Sequence, residues 1–126
     1  MLLVDDEEDA RALVTTILEE SGAKVAPVGS AVEAFAMIIE PPQPNWPDVL
    51  VCDIGMPEED GYSLMRRIRE WEQGRDWRLP AVALTSLNRA EDRMNAFKAG
   101  YRIHVAKPVE PEEMVAVVKS LSVRSK

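Results

Sequence analysis

Val49-Leu-Val-Cys-Asp-Ile-Gly-Met-Pro-Glu-Glu-Asp-Gly61 decides the fold. Four apolar residues, Val49 to Cys52, run directly into Asp53. A short unbroken apolar run reads as a strand covered on both faces, which is what a parallel sheet requires. An aspartate at the end of such a strand serves packing poorly, because Asp is almost never buried without a partner. Met56-Pro57 ends the strand, and Asp60-Gly61 supplies turn chemistry before the next helix. Asp53 therefore belongs at the carboxyl edge of a sheet, where open α/β folds place their chemistry. It is the candidate reactive group.

The segments around it alternate in type. Leu2-Leu3-Val4 is a short strand stopping at Asp5-Asp6, and Glu7, Glu8 and Asp9 suit the positive end of a helix. Ala10, Leu13, Val14, Ile17 and Leu18 recur at helical spacing up to a stop at Gly22. Lys24 to Val28 reads as an edge strand weakened by Pro27, and Ser30-Ala-Val-Glu33 as a capping box opening a helix through Ile39. Pro41-Pro42-Gln43-Pro44 is a stiff connector, too short to separate a pair of cores. Beyond Gly61, Leu64, Met65, Ile68 and Trp71 line one face of a helix over Tyr62–Gln73. Pro80–Thr85 is a buried strand, Asn88 and Glu91 start a helix closed by Gly100, and Tyr101–Ala106 is a last strand ending at Lys107-Pro108. Pro111 opens a final helix whose apolar face is Met114, Val115, Val118 and Leu121. Strands alternating with helices throughout specify a doubly wound α/β fold, and residues 1–126 read as one domain.

Composition narrows the function classes. A net charge of −7 disfavours a phosphate-backbone partner, so no nucleic acid is expected. No apolar run approaches the ~20 residues needed to cross a bilayer, so no membrane partner is expected. The single cysteine, Cys52, has no internal disulfide partner, is compatible with a reducing cytoplasm, and reads as a core residue. Trp46, Trp71 and Trp77 read as packing or surface residues.

In a parallel sheet all strand C-termini share a rim. Asp5, Asp6, Asp53, Thr85 and Lys107 occupy those ends. Crowded carboxylates repel, which can raise at least one pKa unless a cation is present. Mg²⁺ answers such a site, preferring one or two carboxylates, waters and a phosphoryl oxygen. An acidic nucleophile, a metal, an ammonium and a hydroxyl form the equipment for phosphoryl transfer. Taken singly, each residue has a plainer reading. Asp5 and Asp6 could be an N-cap pair, Asp53 a strand-end turn residue, Thr85 a β-branched strand residue and Lys107 a solvated lysine. Their shared position favours chemistry.

Val4-Asp5-Asp6-Glu7, Asp53-Ile-Gly-Met-Pro57 with Asp60-Gly61, Leu84-Thr85-Ser86 and Lys107-Pro108 resemble the signature blocks of the response-regulator receiver domain, in order and across essentially the whole chain. The resemblance implies a flavodoxin-like sheet of five parallel strands in the order 2-1-3-4-5, with helices on both faces. It implies that Asp53 accepts a phosphoryl group from the phosphohistidine of a histidine kinase or histidine phosphotransfer protein. By the same resemblance Asp6, Asp53 and the Gly55 backbone carbonyl ligate Mg²⁺ directly, while Asp5 acts mainly through water. Lys107 would neutralise a phosphoryl oxygen, Thr85 would move to bond another, and the Lys107-Pro108 bond would be cis. Such a protein is a cytoplasmic phosphoacceptor switch rather than an enzyme, with a downstream target the residues do not identify.

His104 stands at the family's fifth-strand switch position, commonly tyrosine or phenylalanine. A lone strand histidine is usually structural, and this departure puts the usual aromatic rotation behind Thr85 in question. Tyr101-x-x-His104-x-x-Lys107-Pro108-Val109 is similar to receivers fused to hybrid histidine kinases; a stand-alone regulator without an output domain is the alternative. The resemblance also implies that phosphoryl lifetime depends partly on residues near Gly55 and Leu87. The competing functions are a degenerate receiver serving as a protein-interaction module and a Mg²⁺-dependent phosphohydrolase. The hydrolase type to which this chain comes nearest wants a second acid at the position held by Gly55. A flavodoxin-like cofactor module would want a Ser/Thr/Gly-rich loop after the first strand, where Asp-Asp-Glu-Glu-Asp stands instead.

Overall fold

The computed structural model describes residues 1–40, 48–75, 78–86 and 90–124, with side chains through 121. The expected Pro41–Pro44 connector, Trp46, Trp77, Leu87 and the Asn88 helix start lie outside the described residues. The elements follow in order: β1 (Leu2–Val4), α1 (Glu8–Glu20), β2 (Ala26–Val28), α2 (Ala31–Ile39), β3 (Leu50–Asp53), α3 (Gly61–Glu72), β4 (Ala81–Thr85), α4 (Ala90–Ala99), β5 (Ile103–Ala106) and α5 (Pro111–Arg124). All pairings are parallel, in the order β2-β1-β3-β4-β5. This is the expected flavodoxin-like sheet.

Side chains alternate across the strands into two apolar layers. Leu2, Val4, Leu50, Cys52, Ala81 and Ala83 face α2, α3 and α4, which contribute Ala34, Ile38, Leu64, Met65, Ile68 and Ala96. Leu3, Val49, Val51, Val82, Leu84 and Val105 face α1 and α5, which contribute Val14, Leu18, Met114, Val118 and Leu121. Burial on both sides explains why the central strands read as unbroken apolar runs rather than as alternating ones. Each fully buried Leu, Ile or Met contributes roughly 1.5–3 kcal/mol against exposure.

Several boundaries differ from the sequence reading. β2 starts at Ala26 rather than Lys24, although the Lys24 carbonyl still accepts from the terminal amino group of Met1 at 3.1 Å beside β1. Pro27 lies on the sheet's outer strand opposite Leu3, a place where its missing N–H is tolerated. β5 starts at Ile103 rather than Tyr101, since the Tyr101 N–H belongs to the end of α4, donating to the Ala96 carbonyl at 3.0 Å. The capping box at Ser30 is half formed. Ser30 Oγ accepts the Glu33 N–H at 3.2 Å, but the Glu33 carboxylate reaches past the cap to the Gly29 N–H at 2.9 Å.

Two contacts fasten α3. At its start Asp60 is the N-cap, accepting the Ser63 N–H at 2.9 Å. At its end Glu72, only 5% exposed, accepts from Arg69 at 2.7 Å and from the Leu79 N–H at 2.7 Å, tying the helix to the entrance of β4. Arg69 also donates to the Gly100 carbonyl at 2.6 Å. Gly100 has φ +119, and a Cβ there would lie 2.8 Å from Arg69 Nε, so glycine is required for both backbone and space. Trp71, expected on the buried face, is only partly buried at its edge. Glu72 occupies the buried stripe one turn beyond Ile68.

Candidate functional site

The register brings the strand ends to one level. Val4 pairs with Cys52 and Asp53 with Leu84, so Asp5 and Asp53 follow one another across β1 and β3. Leu84 pairs with Val105 and Thr85 with Ala106, which puts Thr85 one step and Lys107 two steps beyond that level, on β4 and just past β5. Tertiary pairing therefore gathers residues spread over a hundred positions of chain.

At this rim Lys107 Nζ lies 3.4 Å from Asp5 Oδ2 and 3.4 Å from Asp53 Oδ1. Asp5 is fully buried and does two jobs. Its Oδ1 accepts the Glu7 N–H at 3.0 Å, while Oδ2 faces the lysine. That bond stands in for an N-cap on α1, since Glu7 in the cap position makes no side-chain cap. Asp6 is exposed at the mouth. Asp53 is 6% exposed, and its Oδ1 also accepts the Gly55 N–H at 3.3 Å. Thr85 is buried, and its carbonyl accepts the Lys107 N–H at 2.9 Å. The Lys107-Pro108 bond is cis, as expected.

Burial pushes the Asp53 carboxyl above its ordinary value, and the Asp5 carboxylate adds to the shift; Lys107 and the Gly55 N–H oppose it. Carboxylate repulsion was the expected cause, but desolvation is the larger one. Burial alone would depress the Lys107 ammonium, yet Asp53 and Asp5 outweigh it and hold its pKa above the usual value. The lysine is a permanent cation at neutral pH. Burial pushes the Cys52 thiol up to about 12, so it stays protonated and unreactive in the core.

The donor set fits a hard divalent cation. Asp5, Asp6 and Asp53 each offer a carboxylate oxygen, all within 4.8 Å of one another. Three carboxylates against one ammonium leave surplus negative charge, which oxygen-preferring Mg²⁺ would balance. Gly55 is exposed at the same loop, and a Cβ there would meet nothing within 4 Å.

His104 stands apart from this group. It pairs with Ala83, one level below Asp53, and is half-buried with Nε2 enclosed and lacking a hydrogen-bond partner.

Some supporting residues were not visible in the sequence reading. Arg11 Nη1 donates to the Asp5 carbonyl at 2.9 Å. Glu59 accepts from Ser63 Oγ at 2.8 Å and from Arg67, whose guanidinium stacks over Phe35 at 4.2 Å. Burial opposes ionisation of Glu59, but these donors win and hold its carboxyl below the usual range. Glu72 was missed as well, in favour of Trp71, although the apolar spacing of α3 extrapolates to it.

Fold and rim together define a flavodoxin-like α/β module with an acidic, lysine-bearing pocket at the carboxyl edge of its sheet. The response regulator receiver domain model matches residues 1–119, and the chain belongs to that family. An uncharacterised 14.6 kDa protein of Leptolyngbya boryana is 40% identical over 119 residues, covering 94% of this chain and 86% of that protein. Response regulator Rre1 of Synechocystis is 36% identical over 98% of this chain, which spans 52% of Rre1. Hybrid signal transduction histidine kinase D of Dictyostelium discoideum is 34% identical over 86% of this chain, which spans 7% of that kinase. Among solved structures, the receiver domain of Francisella response regulator 1452 has a TM-score of 0.86 at 28% identity, covering 99% of this chain and 97% of that one. Receiver domains are phosphoacceptor switches of two-component signalling that generally bind Mg²⁺ in an acidic pocket. Among the described residues, no helix is long and apolar enough to cross a membrane.

Proposed function

We propose that Asp53 accepts a phosphoryl group from the phosphohistidine of a cytoplasmic histidine kinase or phosphotransfer protein. One observation carries the reading. Lys107 Nζ sits equidistant from Asp5 and Asp53 at 3.4 Å, beside three carboxylates close enough to share a cation. The Lys107 and Gly55 contacts both fall on Oδ1 of Asp53, so Oδ2 is the attacking atom. An Oδ2–P bond forms as the N–P bond breaks, and the departing imidazole nitrogen keeps the electron pair and takes a proton. The product is an acyl phosphate.

Asp6, Asp53 and the Gly55 carbonyl would hold Mg²⁺ directly, with Asp5 acting through water. The ion supplies charge neutralisation for the phosphoryl oxygens. Lys107 then exchanges its Asp53 contact for a phosphoryl oxygen, and Thr85 donates its hydroxyl to another. Adding a doubly charged group where one carboxylate stood rewrites the pairing of Lys107 and draws in Thr85, which biases β4 and β5 towards a second arrangement. His104 on β5 is where that change would be read. The hybrid-kinase context rests on the Tyr101–Val109 pattern together with the likeness to a hybrid kinase; an upstream kinase core in the coding sequence would establish it.

The test uses a small phosphodonor and Mg²⁺, read by intact mass. One phosphoryl adduct, labile to acid and base, is expected on the wild type and none on Asp53→Asn. Undiminished labelling of that variant would defeat the assignment. A pure interaction module would show no adduct on either protein.

A further inference from the structure

Tyr101 lies outside the rim group and ahead of β5, yet its side chain reaches back to the site. It is 2% exposed, and its ring packs in the layer containing Cys52, Ala83 and Leu64. Its hydroxyl donates to the Gly61 carbonyl at 2.7 Å. Gly61 is wedged against the end of β3. Its N–H donates to the Ile54 carbonyl at 3.0 Å, and a Cβ on it would lie 2.9 Å from the Asp53 carbonyl. The Met56 N–H shares that Ile54 carbonyl, also at 3.0 Å. Cys52 shares this layer with Tyr101, and its thiol donates to the Asp53 carbonyl at 3.3 Å. The far end of Tyr101 is equally fixed. Its N–H is bonded to α4, and the preceding carbonyl is held by Arg69.

We propose that Tyr101 is a positioning residue for the Asp53 site, its buried hydroxyl fixing the Ile54–Asp60 turn and so the aim of the Asp53 carboxylate and of Gly55. A phenylalanine ring would fill the same space in this apolar layer. Burying a hydroxyl is unfavourable unless it is paired, so the group that distinguishes tyrosine there is the one bonded to the residue abutting Asp53. The anchor also joins the α4–β5 corner to the phosphoacceptor loop, giving that corner a direct mechanical connection to the site. The proposal rests on Asp53 being the phosphoacceptor.

Tyr101→Phe keeps the ring and removes the bond. Amide exchange at Gly61 and Met56, measured without divalent ions and relative to the core amide of Val51, should quicken about fivefold, as expected for one lost hydrogen bond. The initial rate of Asp53 modification at saturating Mg²⁺ should fall by a similar factor, about fivefold. Val118→Ala, in the opposite apolar layer, is the control for plain destabilisation. It should lower the unfolding midpoint while leaving the Gly61-to-Val51 exchange ratio and the modification rate unchanged. Wild-type exchange ratios and rates in Tyr101→Phe would overturn the proposal. So would the same changes appearing in Val118→Ala. If the wild type takes no phosphoryl group, the function reading fails, while the exchange ratio still decides whether Tyr101 anchors the turn.

Discussion

Gly61→Ala adds one methyl group where α3 meets the end of β3, and two opposing effects decide its sign. Alanine is favoured over glycine in a helix by roughly 0.5–1 kcal/mol, so on propensity alone the variant gains stability. The structure says otherwise. The new Cβ would lie 2.8 Å from Ile54 Cδ1, 2.9 Å from the Asp53 carbonyl and 3.0 Å from Ile54 Cα. Ile54 can turn its side chain away, but the other two atoms are backbone of the strand end that carries Asp53. Overpacking of this kind costs about 1–3 kcal/mol, which outweighs the propensity gain. The net expectation is a loss of about 1–2 kcal/mol, or roughly 4–8 °C in Tm for a chain of this size. Because relief requires α3 or β3 to shift, modification of Asp53 should slow as well. Gly55→Ala is the internal control, the same chemical change where a Cβ meets nothing within 4 Å. Its stability should stay within about 0.5 kcal/mol of wild type. Thermal and urea unfolding of both variants check the pair. A Gly61→Ala protein as stable as Gly55→Ala would refute the claim that close backbone approach, rather than turn conformation, requires glycine at position 61.

Two further outcomes follow from the buried charges. Burial raises the Asp53 carboxyl, and a group raised in the folded state penalises folding while ionised. Asp53→Asn should therefore be more stable than wild type at pH 7 in divalent-free buffer, the difference shrinking as pH falls towards the ordinary Asp value of about 3.9. Urea titrations at stepped pH check this, and equal stability at pH 7 would count against it. Glu72→Ala strands the Leu79 N–H and removes a carboxylate from partly buried Arg69, so it should cost about 3 kcal/mol, seen as a lower urea midpoint at unchanged m. A loss below about 0.5 kcal/mol would mean that α3 does not depend on this anchor.

The division between chain and fold is clearest residue by residue. Val49–Cys52, the spacing of Leu64, Met65 and Ile68, and the punctuation at Gly22 and Gly100 already specify strands, an amphipathic helix and stops, because periodicity and backbone freedom are local properties. The chemical character of the rim was also legible, since parallel strands must deliver their C-terminal residues to one side. Asp5, Asp53 and Lys107 meet there as that rule requires. What only the tertiary structure decided are the relations across elements. It made burial, rather than repulsion, the main influence on Asp53. It turned Glu33 to Gly29, buried Glu72 against Leu79 and carried the Tyr101 hydroxyl across forty positions to Gly61. Each of these depends on which polar group lies within about 3 Å after packing, and separation along the chain does not encode that distance. Local sequence sets what a segment can become; only packing chooses which donor meets which acceptor.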